Sequence, residues 1–209
     1  MSNRGNLIII SAPSGSGKSS LAAGLFREIK GVVFSISHTT RKPRGTERNG
    51  ESYFFVSEDE FKRMIRAEAF LEWAHVYGNY YGTSREFVEK QLDSGNDVLL
   101  DIDVQGALKV KELKPEALMV FVLPPSYQEL RKRLMTRGLD DPEVIERRLK
   151  IARDEIRHYR KYGYVIINRD LEEAIDELRE IVLSARGSGP CGGGGKWEAA
   201  EAVVETFAG

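Results

Sequence analysis

Residues 12–19 read APSGSGKS, the pattern of a phosphate-binding loop with alanine in place of the first glycine. Before it runs an apolar, β-branched-rich stretch, Asn6 to Ala12 (NLIIISA), halted at Pro13. After it, Lys18 to Lys30 places Leu21, Leu25, Phe26 and Ile29 at helical spacing, so the setting reads strand, glycine-rich turn, helix. A phosphate chain must lie against several backbone N–H donors with no side chain in the way. Gly15 and Gly17 permit that approach, and the N-terminus of the following helix adds its positive dipole end. Lys18 is spaced to reach β- and γ-phosphates and the Ser19 hydroxyl to meet Mg²⁺. The nucleotide-binding segment therefore takes in Ala12, Pro13, Ser14, Gly15, Ser16, Gly17, Lys18, Ser19 and Ser20.

Outward from the loop, another strand is expected at Val32–Ile36, two further buried strands at Asp97–Ile102 (DVLLDI) and Ala117–Leu123, and a last strand at Tyr164–Ile167. Helices are expected at Val104–Leu113, Tyr127–Arg137, Pro142–Tyr162 and Leu171–Ala185. Apolar strands alternating with helices predict an α/β fold with a parallel core sheet flanked by helices. Residues 37–95 break the alternation and read as a small α+β insertion. Within it Arg41 to Gly50 (RKPRGTERNG) is a polar loop, Tyr53 to Val56 an edge strand, and Ser57-x-x-Glu60 opens a short helix. Thr83-x-x-Glu86 is a further capping box. Ser126-x-x-Glu129 and Asp141-Pro142 start two helices separated by Gly138, so 126–162 forms a helical hairpin with eleven Lys/Arg against seven Asp/Glu. Most of that charge is a solvated helix face. Residues 187–195 (GSGPCGGGG) read as a flexible linker, and 196–209 as a tail, helical at most, that carries no visible chemistry.

A carboxylate at the end of a neighbouring strand should hold the metal's water shell. Asp101 and Asp103 in DVLLDID stand where an apolar strand runs out, and alternation puts both on one face; Asp103 serves equally well as the cap of the next helix. The 209 residues, 41% apolar and 30% charged, suit one compact domain with appendages. A net charge of −1 lacks the basic excess of a nucleic-acid binder. The lone Cys191 allows no internal disulfide, no apolar run reaches the roughly 18 residues of a membrane span, and Met1 to Gly5 has no signal-peptide character. These features lead to the expectation of a cytoplasmic protein with no membrane or nucleic-acid partner; homo-oligomerisation is left open. His38, His75 and His158 show no metal-ligand arrangement.

Three runs are more selective than the phosphate loop: SISHTTRKPRGTERNGESYFFVS (35–57), FLEWAHVYGNYYGTS (70–84) and LLDIDVQGA (99–107). Together they resemble guanylate kinases, over roughly residues 1–186. The resemblance implies a P-loop nucleoside monophosphate kinase fold: core 1–36, 96–125 and 163–186, a GMP-binding insertion at 37–95 and a helical lid at 126–162. It implies ATP and GMP as substrates and Mg²⁺ as cofactor, held through Ser19 and, by way of water, Asp101. Ser37, Arg41, Arg44, Tyr53 and Tyr81 match positions that hold the GMP phosphate, as a dianion facing guanidinium forks and hydroxyls should. Glu72, with Ser37 and Thr83, matches the reader of guanine N1–H and the 2-amino group, and Asp101 and Asp103 border the same nucleotide. A carboxylate offers only acceptors, and adenine offers no donor at N1, so Glu72 would select guanine. Lys18, Arg41, Arg137 and Arg148 match catalytic positions. Arg133, Arg137 and Asn168 match the ATP side, although Arg169 stands where the family often has an acid. Kinases for other monophosphates, and binding modules of guanylate-kinase type without a working phosphate loop, are the rival readings. Glu72 argues against the first, and Lys18, Ser19, Arg137 and Arg148 against the second.

Overall fold

The structure is a computed structural model that describes residues 4–76, 78–136, 141–187 and 196–208. The chain runs β1(Leu7–Ser11), α1(Lys18–Glu28), β2(Val32–Phe34), β3(His38–Thr39), β4(Phe54–Phe55), α2(Glu58–Arg66), β5(Phe70–Val76) and β6(Asn79–Ser84). It continues with α3(Arg85–Asp93), β7(Asp97–Asp101), α4(Val104–Leu113), β8(Leu118–Leu123), α5(Tyr127–Thr136), α6(Pro142–Ile156), a 3₁₀ turn at Tyr159–Lys161, β9(Tyr164–Ile167), α7(Leu171–Ala185) and α8(Trp197–Glu205). Five strands are ordered β2-β7-β1-β8-β9 and four others β4-β3-β6-β5. Pairing is parallel between β2 and β7, β1 and β8, and β8 and β9, so the expected α/β fold with a parallel core sheet is present. Every residue of β1 is buried, the mark of a strand covered on both faces. The described residues fall into two compact units: 4–7, 31–100 and 105–117 in one, 8–30, 101–104 and 118–208 in the other.

In the second unit α1 leaves the phosphate loop and packs on α7 so closely that a Cβ on Gly24 would lie 2.1 Å from Ile175 Cδ1. Ser126 Oγ accepts from the Glu129 N–H at 3.1 Å, as the capping box predicts. α5 and α6 lie side by side, joined by the Arg131–Glu146 ion pair at 2.8 Å, and form the expected hairpin. α6 ends at Ile156, six residues short of the expected Tyr162. Gly138, the expected helix stop, lies outside the described residues.

The C-terminal segment is no loose appendage. Ala200, Val203 and Phe207 are buried. Phe207 sits edge-on to Tyr127 at 5.4 Å, and Trp197 lies 6.0 Å from Tyr159. The Tyr127 N–H donates to Thr206 Oγ1 at 3.0 Å. Ion pairs Arg160–Glu201 at 2.8 Å and Lys196–Glu177 at 3.1 Å complete the dock.

The first unit holds the antiparallel β5–β6 pair, with a register irregularity between Phe70 and Glu72. Ser57 caps α2 as expected, and Phe61 from that helix stacks on Phe70 at 4.4 Å. Gly82 is required beneath them, since a Cβ there would meet both rings within 3 Å. Here the second capping reading is corrected: Ser84, not Thr83, caps α3, accepting from the Phe87 N–H at 3.3 Å. Thr83 is a strand residue whose hydroxyl is used elsewhere.

Candidate active site

The phosphate loop lies in the second unit. Gly15 and Gly17 take φ of 96° and 92°, left-handed values that side chains resist. At Gly17 space is also lacking, because a Cβ would fall 2.2 Å from Asn168 Nδ2. That amide donates to the Ser16 carbonyl at 2.7 Å, so Asn168, 4% exposed, pins the loop from the end of β9. The Ser16 hydroxyl is buried and has no hydrogen-bond partner among the described residues. Lys18 Nζ lies 2.5 Å from Asp101 Oδ1.

The strand-alternation argument for Asp101 and Asp103 does not hold, because β7 ends at Asp101 and Asp103 lies beyond it. Asp101 is tied to Lys18; Asp103 neighbours Glu155 and Tyr162. Burial pushes the Glu155 carboxyl up to about 7, opposed by Lys18 and reinforced by Asp103. Burial likewise pushes the Tyr162 hydroxyl far up.

Two arginines of the hairpin reach this region. Arg148 Nη1 donates to Ser14 Oγ at 3.3 Å. Arg133 donates through Nε to Glu129 at 3.0 Å and through Nη2 to the Asn168 carbonyl at 3.1 Å. Arg137 lies outside the described residues. A cavity of about 570 Å³ opens beside the loop, walled by Gly17, Ser20, Lys132, Arg133, Asn168 and Arg169, a size usual for a nucleotide-scale ligand. Asp170 next to it caps α7, accepting from the Glu172 and Glu173 N–H groups at 2.9 and 3.2 Å.

Ser19 and Asp101 offer hard oxygen ligands, and among the described residues no group of three or more acids, His or Cys could hold a metal alone. This donor set fits Mg²⁺ bound jointly with nucleotide phosphates rather than in a protein cage.

The other predicted residues gather in the first unit on the small sheet. Glu72 and Thr83 are directly opposite on β5 and β6, and Ala74 is opposite Tyr81. Tyr81 and Thr83, two apart on β6, share a face roughly 7 Å apart along the strand. Thr83 Oγ1 donates to Glu72 Oε1 at 2.7 Å, and Glu72 is 7% exposed. A buried carboxylate with an oriented oxygen is no stray surface charge, since burying one without a partner is costly. At the other end, the Arg41 guanidinium lies 5.3 Å over the Tyr53 ring, and Tyr53 meets Tyr81 edge-on at 6.0 Å. Ser37 immediately precedes β3, its carbonyl accepting from the Phe54 N–H at 2.9 Å. Arg44 is exposed on the adjoining loop. His38 packs between Phe54 and Phe70 at 4.8 and 5.7 Å, and burial lowers its imidazole below the ordinary value.

Sequence reasoning missed Glu47 and Glu155. Glu47 stands three residues after Arg44, a spacing that hints at a turn. Glu155 carried no signal, being one acid among seven in a charged hairpin.

A glycine-rich loop between a buried strand and a helix, with an acid paired to its lysine and arginines reaching in from a helical hairpin, defines a P-loop nucleotide kinase in class. The family model for guanylate kinase matches residues 4–185, and the chain belongs to the guanylate kinase family. A guanylate kinase of Caldanaerobacter subterraneus subsp. tengcongensis is 51% identical over 183 residues, covering 88% of this chain and 89% of that one. One from Shewanella sp. strain MR-7 is 52% identical over 190 residues, covering 90% and 92%. The crystal structure of guanylate kinase from Anaplasma phagocytophilum superposes with a TM-score of 0.72 at 36% identity, covering 90% of this chain and 89% of that chain.

Proposed function

We propose that the chain transfers the γ-phosphoryl group of ATP to GMP, giving ADP and GDP, as a cytoplasmic, Mg²⁺-dependent enzyme. The observation that carries the choice of acceptor is the buried Glu72 carboxylate, oriented by Thr83 on the face that also bears Tyr81. Its acceptors match the N1–H and 2-amino donors on one edge of guanine. Adenine presents a bare acceptor there, so AMP would leave a buried charge facing a lone pair.

On this reading residues 37–95 hold GMP and 126–162 act as a lid on a domain spanning 1–186. Arg41, Arg44, Tyr53, Tyr81 and Ser37 bind the GMP phosphate. The phosphate loop and Lys18 cradle the ATP phosphates, with Asn168 holding the loop in shape beside the adenosine cavity. Ser19 and Asp101 would hold Mg²⁺, which when bound would supply positive charge to the triphosphate. A GMP phosphate oxygen, already anionic near neutral pH, attacks the γ-phosphorus in line while the bond to the β-phosphate oxygen breaks. No general base is required. Lys18 and the lid arginines, Arg148 with Arg133 and Arg137, meet the charge on the transferring group. Closure of insertion and lid excludes water, so that ATP is not hydrolysed instead.

A coupled assay of ADP formation with GMP, AMP, CMP and UMP tests the proposal. GMP is expected to be preferred by orders of magnitude; comparable rates with a second monophosphate refute it.

A further inference from the structure

Glu47 sits in the polar loop of the first unit between the two arginines assigned to the acceptor phosphate and the start of β4, and both its carboxylate oxygens are in use. Oε1 accepts from Arg41 Nη2 at 2.8 Å, and Oε2 accepts from the Arg44 backbone N–H at 2.8 Å. The Glu47 N–H returns to the Arg44 carbonyl at 3.0 Å. The Arg44–Glu47 turn is thus closed from both sides, and the same carboxylate reaches back to the guanidinium six residues earlier. Arg41 Nη1 meanwhile donates to the Lys42 carbonyl at 2.9 Å, and the guanidinium lies over Tyr53 and 6.0 Å from the Phe55 ring centroid. Its side chain is only 10% exposed.

An exposed ion pair would be expected to contribute almost nothing. This one differs in burial, in the aromatic bed, and in the second oxygen, which ties the pair to the backbone. The contacts also move both groups: the hydrogen bond from Arg41 is the chief cause that lowers the Glu47 carboxyl, and the bond to Glu47 the chief one that raises Arg41. A guanidinium has five N–H donors. The Lys42 carbonyl and Glu47 take two of them, and Tyr81 adjoins the group, so donors remain for a phosphate while the plane of the fork is already set.

We propose that Glu47 is a positioning residue of the acceptor site, holding Arg41 in the orientation in which it meets the monophosphate of the nucleotide. The proposal rests on the assignment of Arg41 to that phosphate. A long side chain otherwise free to sample many rotamers is fixed before substrate arrives, so less freedom is lost on binding. The negative charge of Glu47 opposes the incoming dianion, and orientation outweighs it because the carboxylate engages one edge of the fork and leaves the others open.

The test is a double-mutant cycle on the full chain, reading KM for GMP, KM for ATP, kcat and GMP binding by calorimetry for wild type, Glu47→Gln, Arg41→Ala and the double variant, with thermal melts alongside. Glu47→Gln is expected to raise KM for GMP about tenfold with KM for ATP unchanged and kcat within about twofold. In the Arg41→Ala background the same change should have no further effect, because the group it positions is gone. Equal effects in both backgrounds overturn the proposal. So does a fall in KM for GMP, which would make Glu47 a competitor of the phosphate, and so does a parallel rise in KM for ATP, which would mark a general loss of structure. If Arg41→Ala itself leaves GMP binding unchanged, the Arg41 assignment fails, and the proposal with it.

Discussion

Replacing Glu72 by glutamine keeps the shape of the acceptor site while removing its negative charge and exchanging one acceptor facing the base for N–H donors. In the wild type one oxygen takes the Thr83 hydroxyl at 2.7 Å, and the carboxylate retains acceptor capacity for guanine. The amide has a single acceptor oxygen. If that oxygen stays on Thr83, an NH₂ group confronts the N1–H and 2-amino donors; if it turns to the base, Thr83 must reverse its hydroxyl to accept. Either arrangement loses at least one hydrogen bond to a charged group inside a site where Glu72 is 7% exposed, a loss of about 1.5–3 kcal/mol. That corresponds to a fall of roughly ten- to a hundredfold in kcat/KM for GMP. Efficiency with AMP should rise little, because the surrounding pocket is unchanged. The assay is ADP formation from each nucleotide with both proteins, with thermal melts to show that the variant is folded. A Glu72→Gln protein within twofold of wild type on GMP, with selectivity intact, refutes the reasoning and places guanine recognition elsewhere.

Lys18→Ala should lower turnover at least about a hundredfold, since a cation fixed at the transferring phosphate is lost, while the melting temperature changes by only a few degrees; turnover near wild type refutes the role. Burial raises the Glu155 carboxyl from 4.5 to about 7, so the folded chain retains a proton that the unfolded chain has already released. The stability this contributes is complete below about pH 4.5 and is lost as pH rises through about 7, up to roughly 3 kcal/mol in all. Glu155→Gln should therefore melt higher than wild type at about pH 8 and alike at about pH 4.5, and a difference independent of pH refutes it. Phe207→Ala removes a buried ring from its place against Tyr127 and should cost about 3 kcal/mol, or roughly 6–12 °C in melting temperature; an unchanged melt would mean that α8 is not docked in solution.

The parallel sheet was legible because its central strands β1, β7 and β8 are almost wholly buried and the chain around them is punctuated by glycine and proline, although β2 is only half-buried. β9, α4 and α7 match their predicted spans to the residue. The β5–β6 pair was harder. Its first strand, FLEWAHV, shows no clean alternation, since Phe70, Leu71 and Glu72 are all buried around the register irregularity, and GNYYG resembles turn chemistry. Adjacent hydroxyls misdirected the capping assignment: Thr83 has the right spacing, but strand register gives its hydroxyl to Glu72 and leaves the cap to Ser84. The tail misled for a different reason. Trp197, Ala200, Val203 and Phe207 recur at near-helical spacing, yet nothing local names the surface that buries them, and the glycine run before them suggested independence.

Where α8 docks has a practical corollary. α8 meets Tyr159 and Arg160, just past the end of α6, and the two residues after it meet Tyr127, at the root of α5, so this segment grips both ends of the hairpin assigned as the lid. It belongs to none of the residues matched by the family model, which stop at 185. A substitution at Thr206 or Phe207 acts on that grip directly. Such a variant would change turnover with every substrate-contacting side chain intact, so loss of activity there speaks of the lid's footing and not of substrate contact.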